Sequence, residues 1–277
     1  MEIKAADVKA LRERTGAGMM ECKKALVETN GDAAAAEKLL KEKGLAAVEK
    51  RAGRATSEGR VFIKIQDNKA VICELTCETD FVAKNADFIQ IGNDIVNTVF
   101  EKGYTEVNKE LSDMLLDLAT KIRENMSLRR LQVIDVPAGA VVSSYVHSDG
   151  KTGVVVVITA DKDVSNSAVV KEFAYDCCLH MAAFTPAYIK REDVDEAYIA
   201  EQTEIFTKQV ESLDKPENVK AGIVKGKINK HLADICFMDQ PFVKDDKVSV
   251  AKKMEEIGKA ADAKLTMAQV VLYQLGA

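Results

Sequence analysis

The stretch RVFIKIQDNKAVICELTC, residues 60 to 77, decides how this chain is read. Two β-branched, alternating runs flank Asp67-Asn68, a tight-turn pair, so the segment reads as a β-hairpin. Helical periodicity follows over roughly 84 to 102. The same succession recurs further on. AVVSSYVHSDGKTGVVVVITA (140–160) reads as two strands around a Gly-containing turn, and SNSAVVKEFAYDCCLHMAAF (165–184) as an amphipathic helix. Between the copies lie a helix, KELSDMLLDLATKIRENM (109–126), and a strand, SLRRLQVIDV (127–136). The expectation is an α+β fold whose core is two related subdomains, antiparallel sheets backed by helices.

Outward from this core, residues 4 to 43 read as three short helices. They stop at Gly16, Gly31 and Gly44, and Asp32 caps the third. Val8, Leu11, Ala25, Leu26, Leu39 and Leu40 recur at helical spacing as the core of this head. The polar, basic run EKRAGRATSEGR (49–60) reads as a linker or a frayed helix end. Residues 192 to 238 turn helical again, broken at DKPEN (214–218). Val224, Ile228, His231 and Ile235 step by four and three, the seam of a helical hairpin or coiled coil. The tail reads as a helix and then a short strand. The expected organisation is 1–48 head, 49–59 linker, 60–139 and 140–191 core subdomains, 192–238 helical hairpin and 239–277 return to the core with a carboxy-terminal module.

Composition narrows the function. Residues 1 to 60 carry 13 Lys/Arg against 10 Asp/Glu and the rest 26 against 34, so a mildly basic head sits on an acidic body. Phosphate-driven nucleic-acid binding calls for a basic domain or stripe, which the body does not offer. The start lacks an apolar leader and the longest apolar run, GVVVVITA (153–160), is too short for a bilayer, so a cytoplasmic protein is expected. Six cysteines lie in apolar segments without a CxxC pair, which favours reduced packing residues over a zinc or redox site.

Catalytic motifs are wanting. GIVKGK (222–227) is too short for a phosphate loop and does not follow a strand. His180 and His231 fall on helices among apolar neighbours and read as packed residues, whereas His147 sits at a hairpin tip, where contacts are made. A Cys77–His147 nucleophile pair requires the two hairpins to meet and the thiol to ionise. A cofactor is not expected.

Two segments remain. In CETDFVAKNADF (77–88), Thr79 or Asp80 supplies a helix cap, and Phe81 is either a staple onto the sheet or a bare contact residue. Aligning Cys77 on Ala160 sets Asp163 opposite Asp80 but Val164 opposite Phe81, so the architecture does not require the ring. In TGAGMMECKKAL (15–26), Met19 and Met20 follow a Gly-flexible turn beside Arg12 and Lys23, and either fill the head's core or receive a partner helix.

Together LRERTGAGMMECKKAL (11–26) and TDFVAKN (79–85) resemble the bacterial elongation factor Ts family, a resemblance that extends along the chain. It implies a ubiquitin-associated-like head and a guanine-nucleotide exchange factor that binds elongation factor Tu in its GDP-bound and nucleotide-free states. It further implies that Arg12, Met19, Met20 and Lys23 contact a helix of that GTPase. Thr79, Asp80, Phe81 and Val82 would reach its Mg²⁺ and phosphate region, and His147 would lie on the same contact face. Asn85 departs from the family's usual acidic residue, and the carboxy-terminal module matches by order rather than motif. Two core copies in one chain imply a one-to-one complex. Two other classes stay open: an adaptor that binds nucleic acid or a ubiquitin-like fold through the basic head, and a thiol enzyme.

Overall fold

The computed structural model describes residues 3–277. The head is α1 (Ala5–Thr15), α2 (Met19–Glu28) and α3 (Ala33–Arg51). Gly16 ends α1 in the left-handed conformation at φ 68°, its N–H donating to Arg12 O. Asp32 caps α3 by accepting from the Ala34 and Ala35 N–H groups at 2.9 and 3.0 Å. Val8, Leu11, Ala25 and Leu26 are buried, with Leu39 and Leu40 packed half-buried against them.

Gly44 does not stop α3. The helix runs on to Arg51, so residues 49–51 are helical and the irregular connection is 52–57. The glycine is there for approach: a Cβ on Gly44 would lie 2.3 Å from Thr120 Cγ2.

The first sheet consists of β1 (Glu58–Gln66) and β2 (Lys69–Cys77), turning at Asp67-Asn68, then β3 (Met126–Asp135), in the order β1-β2-β3. Between β2 and β3 run the one-turn helix α4 (Asp80–Ala83), α5 (Ala86–Lys102), α6 (Lys109–Asp113) and α7 (Leu116–Ile122). The single helix expected over 109–126 is thus two. Leu115 N–H donates back to Ser112 O, one residue short of the α ladder, and this tighter turn divides them.

The second sheet is β4 (Val141–Val146), β5 (Thr152–Ala160) and, from far along the chain, β8 (Leu265–Gln274). Before β8 come α8 (Ala168–Phe184), the hairpin α9 (Glu196–Glu211) and α10 (Glu217–Ile235), a small ribbon β6 (Pro241–Phe242) and β7 (Asp245–Ser249), and α11 (Val250–Ala260). The tail expected to hold a short strand therefore contributes a 10-residue one, paired antiparallel with β5.

The two sheets face each other. On β2, Val71, Cys73 and Leu75 pack against the helices α5 to α7, while Ala70 and Ile72 meet Val155 and Val157 of β5. On β5, Val154, Val156 and Ile158 pack against α8. The layers run helix, sheet, sheet, helix. An inner strand buried on both faces needs no polar alternation, which is why β5 reads as a continuous valine run. One charge enters this interface. Glu74, fully buried, accepts from Arg129 Nη1 at 2.9 Å, Arg130 Nε at 2.6 Å and Gly276 N–H at 3.1 Å. A bulge opposite Glu74/Leu75 lets neighbouring arginines reach the same carboxylate.

His180 sits where α8, the base of α10 and the β6 ribbon meet. It is fully buried, accepts from Val243 N–H at Nδ1 (3.2 Å) and donates from Nε2 to Gln240 Oε1 (2.8 Å). That arrangement fixes a neutral ring, and burial pushes its pKa below the ordinary value despite the Gln240 bond. An unfolded chain then takes up the proton first, so stability is complete above about pH 6.5 and declines as pH falls through the folded value. Urea midpoints at pH 7.5 and 5.5 will show this decline, and His180→Gln, which keeps an amide donor and acceptor, will flatten it. Parallel slopes for the two proteins would reject the assignment.

Candidate partner interface

The corner after β2 is built from both sides. Thr79 caps α4, its Oγ1 accepting from Val82 N–H at 3.4 Å, and Asn85 caps α5 by accepting from Asp87 N–H at 2.8 Å. Val82 and Ala83 sink into the first sheet's helical core, which turns the intervening face outward. Phe81 is left 81% exposed. The staple reading fails, since a stapled ring would be covered. Val164, the residue aligned with Phe81, is buried at 3%.

Val82, by contrast, is only 6% exposed and anchors the turn. Thr79 is also occupied: besides capping α4 it donates its hydroxyl to Glu124 Oε1 at 2.6 Å. Asp80 pairs with Lys84 at 2.7 Å, and that bond holds its carboxyl below the usual range.

Residues 124 and 125, unremarked in the sequence, fix the corner from across the sheet. Glu124 Oε2 accepts from Glu78 N–H (3.1 Å) and Thr79 N–H (3.0 Å). Glu78 in turn accepts from Asn125 N–H at 2.6 Å, which with Arg54 lowers its pKa. Asn125 Nδ2 donates to Ala52 O and Arg54 O, so the connection from the head is tied to the same point.

On the head, Met19 and Met20 are 41% and 65% exposed at the start of α2, so they do not fill its core. Lys23 is exposed on the next turn, Arg12 on the last turn of α1, and Val27, 57% exposed, extends the face. Val27 was legible as i+7 from Met20. The head's charge is partly paired: Arg14 and Lys43 meet Glu37 and Glu28 within it, and Lys41 meets Asp117 of α7. Where α3 packs on α7, residues of the head and α7 line a cleft of about 480 Å³. It is bridged by an ion pair between Arg123 and Glu21.

The hairpin tip between β4 and β5 comes to the same side. His147 is exposed, its Nδ1 2.9 Å from Tyr145 Oη. Val61 N–H of β1 donates to Gly150 O at 2.8 Å. Lys151 pairs with Glu58 at 2.7 Å, which raises its pKa, and the charges of Asp149 and Asp80 add to the effect. Arg12, Met19, Met20, Lys23, Asp80, Phe81 and His147 are thus presented to solvent, while Thr79 and Val82 support them.

The thiol reading finds no support. Cys77 is fully buried and donates to Thr79 O, and burial, with Glu124 and Glu58 nearby, pushes its pKa to about 12. Among the described residues no group of three His, Cys, Asp or Glu is placed to hold a metal ion, and no helix is long and apolar enough to cross a membrane.

Comparison with known proteins gives this surface its setting. The family model described as Elongation factor TS matches residues 78–277. Elongation factor Ts of Treponema denticola is 63% identical over 279 residues, with 100% of this chain and 99% of that protein covered. The protein of the same name from Treponema pallidum strain Nichols is 55% identical, at 100% and 99% coverage, and that of Borreliella burgdorferi 42%, at 98% of each. These relatives are translation elongation factors, proteins of protein biosynthesis. The chain belongs to the elongation factor Ts family.

Iodoacetamide at pH 7.5 will leave Cys77 unmodified in the native protein and alkylate it once urea exposes all six free cysteines. Rapid, His147-dependent labelling of native protein would restore the thiol enzyme.

Proposed function

We propose that this chain is a guanine-nucleotide exchange factor for elongation factor Tu. It acts in the cytoplasm, in a one-to-one complex, by binding alone, with no bond made or broken and no cofactor of its own. Its head is read as a ubiquitin-associated-like domain, its two sheet-and-helix halves as copies of one unit, and α9–α10 as an inserted coiled coil. Both halves share the order strand, strand, helix, returning third strand, which supports the duplication.

The observation that carries the reading is a phenylalanine 81% exposed on a corner whose neighbours are buried or hydrogen-bonded. A ring so held gains nothing for its own fold. Its free energy is released only when a partner covers it. A ligand shifts nucleotide affinity only by as much as it prefers the nucleotide-free GTPase over the loaded one. GDP in such a GTPase is held by phosphate-loop N–H groups and by Mg²⁺ in a demanding octahedral shell, so a wedge beside that shell removes a main restraint. Phe81 is the wedge and Asp80 its polar neighbour, with Thr79 and Val82 as their mount. Arg12, Met19, Met20, Lys23 and Val27 grip a helix of the GTPase, and His147 extends the contact.

Covering one Phe contributes roughly 1.5–3 kcal/mol, or about one to two decades of nucleotide affinity, so the head and hairpin supply the remainder. Stopped-flow release of a fluorescent GDP separates the parts. Phe81→Ala will dock but release GDP about ten to a hundred times more slowly at saturation. The Met19→Ala, Met20→Ala pair will weaken docking and leave the saturated rate near wild type. Equal release by Phe81→Ala and wild type would reject the wedge.

A further inference from the structure

We propose that Glu124 is a positioning residue for nucleotide release, setting the direction of Phe81, and that Arg123 beside it couples the head to the same corner. The inference rests on the exchange reading above.

A helix as short as α4 makes few hydrogen bonds of its own, so its orientation comes from what holds its ends. Behind Phe81 the hold is apolar, the buried Val82 and Ala83. Ahead of it the hold is Glu124, which gathers the N–H groups of Glu78 and Thr79 and the Thr79 hydroxyl. Thr79 Oγ1 passes the restraint on by accepting from Val82 N–H. Three bonds to one carboxylate fix the backbone that leads into the ring.

The second half serves as an internal control. Its corresponding corner is also tied across its sheet, Asp161 Oδ1 accepting from Lys264 N–H at 2.9 Å, with Asp163 Oδ1 accepting from Ser165 N–H and Val164 N–H donating to Gly139 O, both at 2.9 Å. The position matching Glu124, however, is Ala263 and brings no carboxylate. There the aligned side chain is a buried valine, which its own packing holds in place. The carboxylate clasp thus accompanies the exposed ring, which has no packing of its own to aim it.

Arg123, left-handed at φ 67°, ends α7 and pairs with Glu21. Glu21 Oε2 also accepts from the N–H of Gly18, the N-cap of the helix that carries Met19 and Met20. Two consecutive residues therefore fix both contact surfaces. Binding at one presents the other at a set distance, which raises its effective concentration.

The test is GDP release from elongation factor Tu measured with the full chain, each variant's urea midpoint being taken first. Glu124→Ala will lower the saturated release rate about tenfold while its affinity for nucleotide-free elongation factor Tu changes less than about threefold. Glu124→Gln, still able to accept from the two N–H groups, will recover most of the rate. In a Phe81→Ala background, Glu124→Ala will cost almost nothing more, because the ring it aims is gone. Arg123→Ala will weaken affinity without lowering the saturated rate, and Arg123→Lys will restore part of it. Should Glu124→Ala slow release by the same factor with and without Phe81, or change affinity alone, the positioning role is overturned while the wedge stands. Should Phe81→Ala itself release GDP at the wild-type rate, both ideas fall together.

Discussion

The structure depends on the burial of two strands on both faces. β2 and β5 each lie between a helical layer and the opposing sheet, and their side chains at alternate positions serve two different cores. Once that contact forms, much else is decided. The β4–β5 turn must run along β1, where Gly150 receives the Val61 N–H, and His147 arrives on the side where β2 ends. The carboxylate of Glu74 lies at the same boundary with its arginines, and Arg130 stacks 4.0 Å over the Tyr273 ring. Removing that carboxylate would leave the Arg129 guanidinium without its acceptor and Arg130 with Gln274 O alone, so the cost of breaking the cluster exceeds what its formation contributes.

On this frame the contact surface divides into parts that hold and parts that touch. Thr79, Val82, Glu124 and Asn125 make bonds within the molecule, the exposed side chains of Phe81 and Met20 have no hydrogen-bonding group to satisfy, and His147 is exposed but steadied by Tyr145. Such a division suits a protein that works by binding. A side chain satisfied at home has little to gain from a partner, and a bare one on a loose support would lose in ordering much of what it gained in contact.

Much of this was legible in the sequence where the signal is local. The Asp67-Asn68 hairpin, the Asp32 cap and the Gly16 stop follow from turn and cap chemistry within a few residues. Gly44 misleads because a glycine tolerated for close packing looks the same as one that ends a helix, and only Thr120, far along the chain, tells them apart. The face-to-face sheets were hidden for a similar reason: VVVV announces burial but not what covers each side. At the corner the residues were found but their roles were not. Which side of a single helical turn faces out is set by how it docks, so Phe81 and Val82 could not be separated by spacing. Glu124 left no local trace, lying 45 residues from the threonine it holds.

The order in which the chain is made gives β8 a particular place. This strand completes the second sheet, and beyond it Gly276 donates to Glu74 across 202 residues of sequence. During synthesis the earlier half can close its own helical core, yet the valines of β5 lack one flanking strand until the ribosome has passed Gln274. The strand that follows the other seven thus acts as the keystone of the two sheets. A chain cut ahead of Leu265 would lose the second flanking strand of β5 and the Gly276 bond to Glu74 together.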